Sequence, residues 1–317
     1  ENYKTLKAVE IVLNEGLAKP VLLGNERLIK DLIKTNDLMI GDIEILDPKS
    51  PGEEKRRLEY AEKLYEKRQR RGVTMPLAKE MMSQKQYFAP MLVEEGYVDG
   101  MVSGLTRNYP DTLEPAVKII GMKDGSKLVS GMYIINTKDG PIFFADCTVN
   151  KNPTAEHLIE ITQQTVYAVK QFKIKPRVAF VSYSNFGSYE GNIPSKQREA
   201  VEYLHKNQPE LIVDGEMQAN VALNRETLRE NFPFSKLIDG PANILIFPYL
   251  SAGNIAYKLM QEMGHYEVIG PVINGMAKSV HVLNIDASVT DIVNMVTIAV
   301  LDAQCVYKRN NGEEECE

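Results

Sequence analysis

Short apolar runs alternate with amphipathic stretches along the first part of the chain. Residues 4–16 place Leu6, Val9 and Leu13 at the spacing of one helix face. The stretch KPVLLGNERLIKDLI then has the pattern of a strand, a tight turn and a helix, and IEILDP predicts a second short strand. Because strands and helices alternate in this way, the pattern predicts an α/β layer.

Two helices are predicted between the second and third strands. The charged stretch GEEKRRLEYAEKLYEKRQRRG keeps its apolar residues on one face and ends at Gly72. Thr74 and Pro76 begin the next helix, MPLAKEMMSQKQYFAPMLVEEG. We expect Pro90 to interrupt that helix, because a proline ring removes one helical hydrogen bond.

The rest of the chain continues the alternation. The stretches YVDGMVSG, KPRVAFV, LIVDGEM, NILIF and YEVIGPVING predict strands, and we expect the last of these to be the final strand. Helices are predicted over residues 154–172 and 288–307, the second with Ser288 as its N-cap and Asp291 in its first turn. The dipeptide Asp139-Gly140 between two apolar runs predicts a hairpin, and hence a mixed sheet in the second half.

Composition narrows the classes of function. The formal net charge of −6 argues against a general nucleic-acid binder, because such proteins rely on clustered cations. Neither GxxxxGKS/T nor GxGxxG occurs and the histidines are far apart, so no nucleotide-hydrolysing, dinucleotide or metal site is supported. The cysteines are scattered and no apolar run is long enough to span a bilayer, so we expect a cytosolic protein without a membrane partner.

Three predicted strand-to-helix turns carry glycines and polar side chains. In open α/β sheets ligands bind at this edge of the strands, so the turns point to a shared cleft. Each of them is alternatively an ordinary turn whose side chains form hydrogen bonds with the backbone. The basic run KRQRRG is either a solvated helix C-terminus or a site that binds an anionic group of a ligand. The candidates are Ser103, Gly104, Thr106 and Arg107 in MVSGLTRNY, Asn185 in SYSNFGSYEG, and Asn254 in PYLSAGNIAYK.

The motifs PVLLGNERLI, VDGMVSG, VDGEMQAN, ANILIFPYLSAGNIAYKL and VIGPVINGMAKSV, in this order, resemble the phosphate acetyltransferase and butyryltransferase family. The resemblance covers almost the whole chain. It implies two α/β/α lobes, an isocitrate/isopropylmalate dehydrogenase-like architecture, with an acyl-CoA site in the cleft between them. It also implies a first lobe of residues 1–124 and 276–317, and a second lobe of residues 125–275 that forms the dimer interface.

The chain departs from the catalytic members of this family at several positions. Those members carry a Ser-Arg pair and then an Asp, which acts as base on the CoA thiol. Asp291 matches the Asp, whereas Asn284 and Ile285 stand where the family has Ser and Arg. Glu114 and Phe186 stand where the family has Arg and Lys. Loss of one preorganised donor costs about 2.7–4 kcal/mol of transition-state stabilisation, so we expect impaired turnover.

The stretches SYSNFGS, SGLTRNY and RRGVT resemble a subgroup, the C-terminal domain of large bacterial NADP-dependent malic enzymes. This resemblance implies a regulatory, oligomer-forming domain that binds acetyl-CoA or a related acyl-CoA and lacks transferase activity. No cofactor is expected in this domain, since NADP and a divalent metal belong to an upstream malic enzyme domain. The start at Glu1 rather than Met fits the C-terminal part of a longer protein.

The expected acyl-CoA and phosphate contacts are Arg68, Ser103, Thr106, Arg107, Asn185, Asn254 and Asn284. Arg68 retains a basic position of the family. Two other functions stay open. One is a working phosphate acetyltransferase with Asp291 as base and Asn284 as a substitute donor. The other is a transferase fold without activity that is kept for assembly.

Overall fold

The computed structural model describes residues 2–312, so the predicted lobe boundary at residue 317 lies outside the described part. The chain forms two compact units. Among the described residues, unit 1 consists of residues 2–123 and 276–311, and unit 2 of residues 124–275 together with Gly312. The elements of both units confirm an α/β fold.

Unit 1 is built around two short parallel pairs of strands, β1 with β2 and β3 with β10. Its elements are α1 (Tyr3–Asn14), β1 (Val21–Leu23), α2 (Glu26–Thr35), β2 (Glu44–Leu46), α3 (Glu54–Arg68), α4 (Met75–Met82), α5 (Lys85–Glu94), β3 (Gly100–Ser103), α6 (Tyr109–Ile119), β10 (Ser279–Val282) and α12 (Val289–Asn310). Short 3-10 turns cover Pro51–Glu53 and Gln69–Arg71. These elements confirm the strands and helices predicted for the first half, except for the helix that contains Pro90.

The predicted effect of Pro90 is wrong. Pro90 lies inside α5, and the break falls earlier, at Ser83 and Gln84. Gln84 has an extended backbone (φ −105°, ψ 128°) and its N–H donates to the carbonyl of Met81, which ends the first helix. Pro90 is buried, so the packing of its ring outweighs the one hydrogen bond that the ring removes.

The strand β10 was not predicted, so the expectation that YEVIGPVING is the final strand is wrong. Polar residues interrupt its apolar pattern, yet both are fully buried and paired. The hydroxyl of Ser279 donates to the carbonyl of Ala299 (3.0 Å), and Nε2 of His281 lies 3.6 Å from Oδ2 of Asp302. A four-residue strand of this composition gives no periodic signal.

The closing helix α12 confirms its prediction, including the N-cap at Ser288. It packs against α1, β3 and β10. By length and composition residues 289–309 would suffice to cross a membrane, so the expectation that no apolar run is long enough is wrong. The helix nevertheless makes the contacts of a helix within a globular unit.

Unit 2 contains a six-stranded sheet in the order β7-β6-β8-β5-β4-β9. Its elements are β4 (Ser130–Thr137), β5 (Gly140–Ala145), α7 (Ala155–Gln171), β6 (Val178–Val181), α8 (Asn192–Asn207), β7 (Val213–Met217), α9 (Ala219–Ala222), α10 (Arg225–Asn231), β8 (Ile244–Ile246), α11 (Leu250–Gly264) and β9 (Glu267–Asn274). The strands β5, β8, β6 and β7 run parallel, whereas β4 pairs antiparallel with β5 and β9. The predicted hairpin and mixed sheet are thus confirmed.

Candidate functional site

The carboxyl edge of unit 1 brings together two loops that are far apart in sequence. The parallel strands β3 and β10 end side by side, with Ser103 paired to Val282. The N–H of Leu283 donates to the carbonyl of Ser103 (2.7 Å). A Cβ atom on Gly104 would lie 2.3 Å from the carbonyl oxygen of Leu283, so only glycine allows this approach. Residues 103–108 and 283–288 therefore form one surface.

The loop after β3 has a strained backbone and one unpaired cation. Leu105 has φ +67°, and the N–H of Thr106 donates to the carbonyl of Gly104 (2.8 Å) across it. A non-glycine residue in such a conformation costs on the order of 1–3 kcal/mol and is found most often at functional sites. Arg107 is exposed and has no hydrogen-bond or ion-pair partner within residues 2–312. Its guanidinium is available to an anionic ligand.

The loop after β10 holds Asp291 in a fixed orientation. Ser288 and Asp291 form a capping box, in which Oδ2 of Asp291 accepts from the N–H and the hydroxyl of Ser288 (both 2.8 Å). Oδ1 has no hydrogen-bond partner in the described part of the chain, so it can accept a proton. Lys4 donates to the carbonyl of Ala287 (3.0 Å) and holds the same loop. Ile285, 56% exposed, offers no donor.

In unit 2 the parallel strands also end at a common edge, and the predicted asparagines lie there. Both are engaged in the local fold. Oδ1 of Asn185 accepts from the N–H of Gln218 (2.7 Å), and Nδ2 of Asn254 donates to the carbonyl of Cys147 (3.2 Å). These contacts are those expected if polar side chains satisfy the backbone of the turns.

Sequence reasoning missed Glu216, which organises the loop after β6. Glu216 is fully buried, and its Oε1 accepts from the hydroxyl of Ser184 (2.6 Å), the N–H of Gly187 (2.9 Å) and Nη1 of Arg198 (3.1 Å). Its Oε2 is buried without a partner in the described residues. A glutamate inside the predicted buried strand LIVDGEM was the available signal. The charge of Arg198 beside this loop is therefore already neutralised by Glu216.

Phe186 adds an aromatic layer to the same loop. Its φ is +49°, and its ring centroid lies 4.9 Å from the centroids of both Phe232 and Phe234. Phe234 is 68% exposed. This loop therefore presents rings where the family resemblance implies a lysine, and it supplies no free positive charge.

The structure does not bring Arg68 to the loops of unit 1. Its Nε donates to the carbonyl of Lys118 (2.6 Å) at the C-terminus of α6, and burial lowers the pKa of its guanidinium. α6 has 11 residues and begins at the loop after β3, so its far end lies about 16 Å away. Glu114 on the same helix is exposed and pairs with Lys118 (2.6 Å). Within residues 2–312 no acidic, histidine or cysteine cluster could hold a metal.

Comparisons with known proteins agree on one family. A sequence model described as Phosphate acetyl/butaryl transferase matches residues 1–300. The chain is 38% identical over 311 residues to a phosphate acetyltransferase of Clostridium acetobutylicum, covering 96% of the chain and 92% of that protein. It is also 38% identical over 309 residues to an NADP-dependent malic enzyme of Haemophilus influenzae, covering 96% of the chain but only 40% of that protein. A phosphotransacetylase structure from Streptococcus pyogenes superposes with a TM-score of 0.87 at 32% identity, covering 96% and 92% of the two chains.

The close approach of the two loops in unit 1 predicts a large cost for a methyl group at Gly104. We expect Gly104→Ala to lower the free energy of unfolding by about 3 kcal/mol, because backbone strain and displacement of Leu283 add up. Gly96→Ala is the matched control. Gly96 also has a positive φ (+72°) but open space around it, so we expect a loss of only about 1–2 kcal/mol. Urea unfolding followed by circular dichroism measures the free energy of unfolding of both variants. Equal losses would show that the close approach of Gly104 to Leu283 does not add to the cost.

The contacts of Glu216 predict that the loop after β6 depends on its charge. We expect Glu216→Gln to destabilise the loop by about 1–3 kcal/mol, because Arg198 loses the negative charge with which it pairs. Chymotrypsin should then cleave at the exposed Tyr183 or Tyr189 about tenfold faster. Glu190→Gln, an exposed change in the same loop, is the control. Equal cleavage of the two variants would show that Glu216 does not hold the loop.

Proposed function

We infer the function of this chain from the phosphate acetyl/butaryl transferase family, to which it belongs. The match over residues 1–300 confirms the family resemblance expected from the sequence. We propose that the chain binds acetyl-CoA or a related acyl-CoA and does not efficiently transfer the acyl group to phosphate. The observation that carries this proposal is the exposed Ile285, which stands on the loop of Asp291 where catalytic members are expected to carry an arginine.

The chemistry of acyl transfer explains why Ile285 matters. A base must take the proton of the CoA thiol, and donors must stabilise the oxyanion that develops on the acyl carbonyl. Asp291 supplies the base, since its Oδ1 is left open by the capping box. An isoleucine supplies neither a donor nor a charge, and the amide of Asn284 is neutral. The loop thus retains proton transfer but lacks the cation for the oxyanion and the incoming phosphate.

Ligand binding is assigned chiefly to the loop after β3. The unpaired Arg107 can form charge-assisted hydrogen bonds to a phosphate group of the CoA moiety, and Ser103 and Thr106 lie beside it. Asn284 belongs to the same edge. Asn185, Asn254, Asn284 and Arg68 already have partners in the fold, so a ligand would have to compete with those partners.

The regulatory role that we propose is based on the similarity to a malic enzyme. The chain spans 40% of the Haemophilus NADP-dependent malic enzyme, so most of that relative lies outside the matched part. We propose that this chain is the corresponding acyl-CoA-sensing and oligomer-forming domain of a cytosolic malic enzyme. Its two units would form isocitrate dehydrogenase-like lobes whose closure on acyl-CoA is transmitted to the catalytic domain.

A second candidate function is active phosphate acetyltransfer. The intact Asp291 capping box favours it, as do relatives with that name that the chain matches over 92% of their length. Formation of acetyl-CoA from acetyl phosphate and CoA separates the two functions. Turnover on the order of 1 s⁻¹ or above would establish the transferase, and no turnover above a blank would remove it.

The free guanidinium of Arg107 predicts a specific loss of affinity. We expect Arg107→Ala to weaken acetyl-CoA binding about 10- to 100-fold, the contribution of a charge-assisted hydrogen bond or two. Lys206→Ala removes an exposed cation in the last turn of α8, away from the strand-to-helix turns, and should leave affinity unchanged. Isothermal titration calorimetry measures both, and unchanged affinity in Arg107→Ala would remove that residue from the site.

Because the Asp291 loop lacks the expected donors, we predict that restoring these donors raises acetyl-transfer activity. We expect Asn284→Ser with Ile285→Arg to raise acetyl transfer by about 10²–10³-fold over the parent chain, because one oxyanion donor contributes that much. Ile285→Leu with Asn284→Ser lacks the guanidinium and should gain far less. A double variant that binds acetyl-CoA but stays at the parent rate would show that other differences disable the site.

A further inference from the structure

The short strand β2 of unit 1 has an edge that pairs with no strand in residues 2–312, since β2 pairs with β1 alone. In a parallel pair every second residue turns both backbone groups toward the neighbouring strand. The N–H of Gly24 donates to the carbonyl of Leu46, so the N–H and C=O of Ile45 point away from β1. Neither group of Ile45 has a hydrogen-bond partner in the described part of the chain. An unpaired edge of this kind is a template for a further strand.

One face of this edge borders an apolar cavity. The side chains of Ile43 and Ile45, two residues apart, both line this cavity of about 410 Å³. Ile33 of α2 and Met39, which is 78% exposed, form other parts of its wall. An extended segment beside β2 would place aliphatic side chains here and remove Met39 from water, which is favourable.

The opposite face of the edge borders a polar cavity. Glu44 of β2 accepts a hydrogen bond from the hydroxyl of Tyr97, and Tyr97 lines this second cavity of about 530 Å³. The guanidinium of Arg56 lies 4.3 Å from the centroid of the Tyr97 ring, and Lys55 also lines the cavity. Side chains of an added strand that point to this face therefore meet charged and polar groups.

Two lysines near this edge have no counter-ion. Lys34 is exposed beside the apolar cavity, and Lys55 is exposed beside the polar cavity. The side chain of neither lysine pairs with another residue between positions 2 and 312, whereas Lys30 of α2 pairs with Glu26 (2.6 Å). These cations favour an acidic occupant. They disfavour a second copy of the chain, which would bring the same two lysines to the edge.

We propose that β2 binds an extended segment of a partner protein in which aliphatic and acidic residues alternate. The segment forms backbone hydrogen bonds with Ile45, and its alternation places aliphatic side chains toward Ile43 and acidic ones toward Lys55. A helix does not fit this edge, because its backbone groups are paired internally and leave those of Ile45 without partners. The binding requires neither acyl-CoA nor acyl transfer, so its failure would leave the proposed function intact.

Hydrogen exchange of the full chain, followed by NMR, tests the backbone pairing. The probe is a short fluorescein-labelled peptide of alternating valine and glutamate. The matched control peptide contains the same residues in two blocks, so it cannot present different side chains to the two faces. When the alternating peptide saturates its fluorescence anisotropy, we expect exchange of the Ile45 amide to slow about tenfold or more. The block peptide should leave this rate unchanged.

Three results would overturn the proposal. The first is the absence of binding at about 1 mM alternating peptide, a concentration that detects even weak association. The second is binding without protection of the Ile45 amide, which would place the peptide elsewhere. The third is protection of Ile45 that rises with protein concentration in the absence of peptide, which would assign the edge to a second copy.

Charge reversal tests the role of the two unpaired lysines. We expect Lys34→Glu with Lys55→Glu to raise the dissociation constant of the alternating peptide about three- to tenfold, because attraction at the edge becomes repulsion. Lys138→Glu with Lys206→Glu is the matched control, since both lysines are exposed in unit 2 and the change in net charge is the same. Fluorescence anisotropy measures both double variants. Equal losses of affinity would show that the peptide is attracted by net charge and not by this edge.

Discussion

The parallel pairing of β10 with β3 is the constraint on which unit 1 depends. The two strands belong to chain segments that flank the whole of unit 2, yet their backbones bond directly, from Leu283 to Ser103. Such a return has an entropic cost that grows only slowly with the length of the intervening chain. Buried contacts offset it, including those of His281 and Met295. Without this pairing the two loops of the candidate site would not share a surface.

The two units differ in whether the cations of their loops are already paired. In unit 2 the carboxylate of Glu216 accepts a hydrogen bond from Arg198, and Phe186 adds only apolar surface. In unit 1 Arg107 has no partner among residues 2–312, while Asp291 is oriented by its own helix cap. A guanidinium in a buried ion pair cannot serve a ligand phosphate without leaving its partner uncompensated. Among the predicted ligand contacts, the available cation is therefore that of the loop after β3.

The same physics of apolar burial accounts for α11. Hydrophobic periodicity reports which residues avoid water, and it does not distinguish a core from an interface. Tyr257 and Leu259 both fit an apolar helix in the sequence, but only the first is covered by the sheet. The exposed face of α11 is therefore known from the fold and not from its apolar pattern.

The α/β alternation, the hairpin at Asp139-Gly140 and the N-cap at Ser288 could be predicted from local patterns, because these features depend on contacts within a few residues. These patterns also located the polar turns, since turn chemistry is local. The strand β10 could not be predicted in this way, because Ser279 and His281 are stabilised by partners on α12 and not by an apolar periodicity of their own. The same is true of Arg68, which caps a distant helix end, and of Glu216, which is buried. Their partners lie 50 and up to 32 residues away along the chain, at distances that no local pattern encodes.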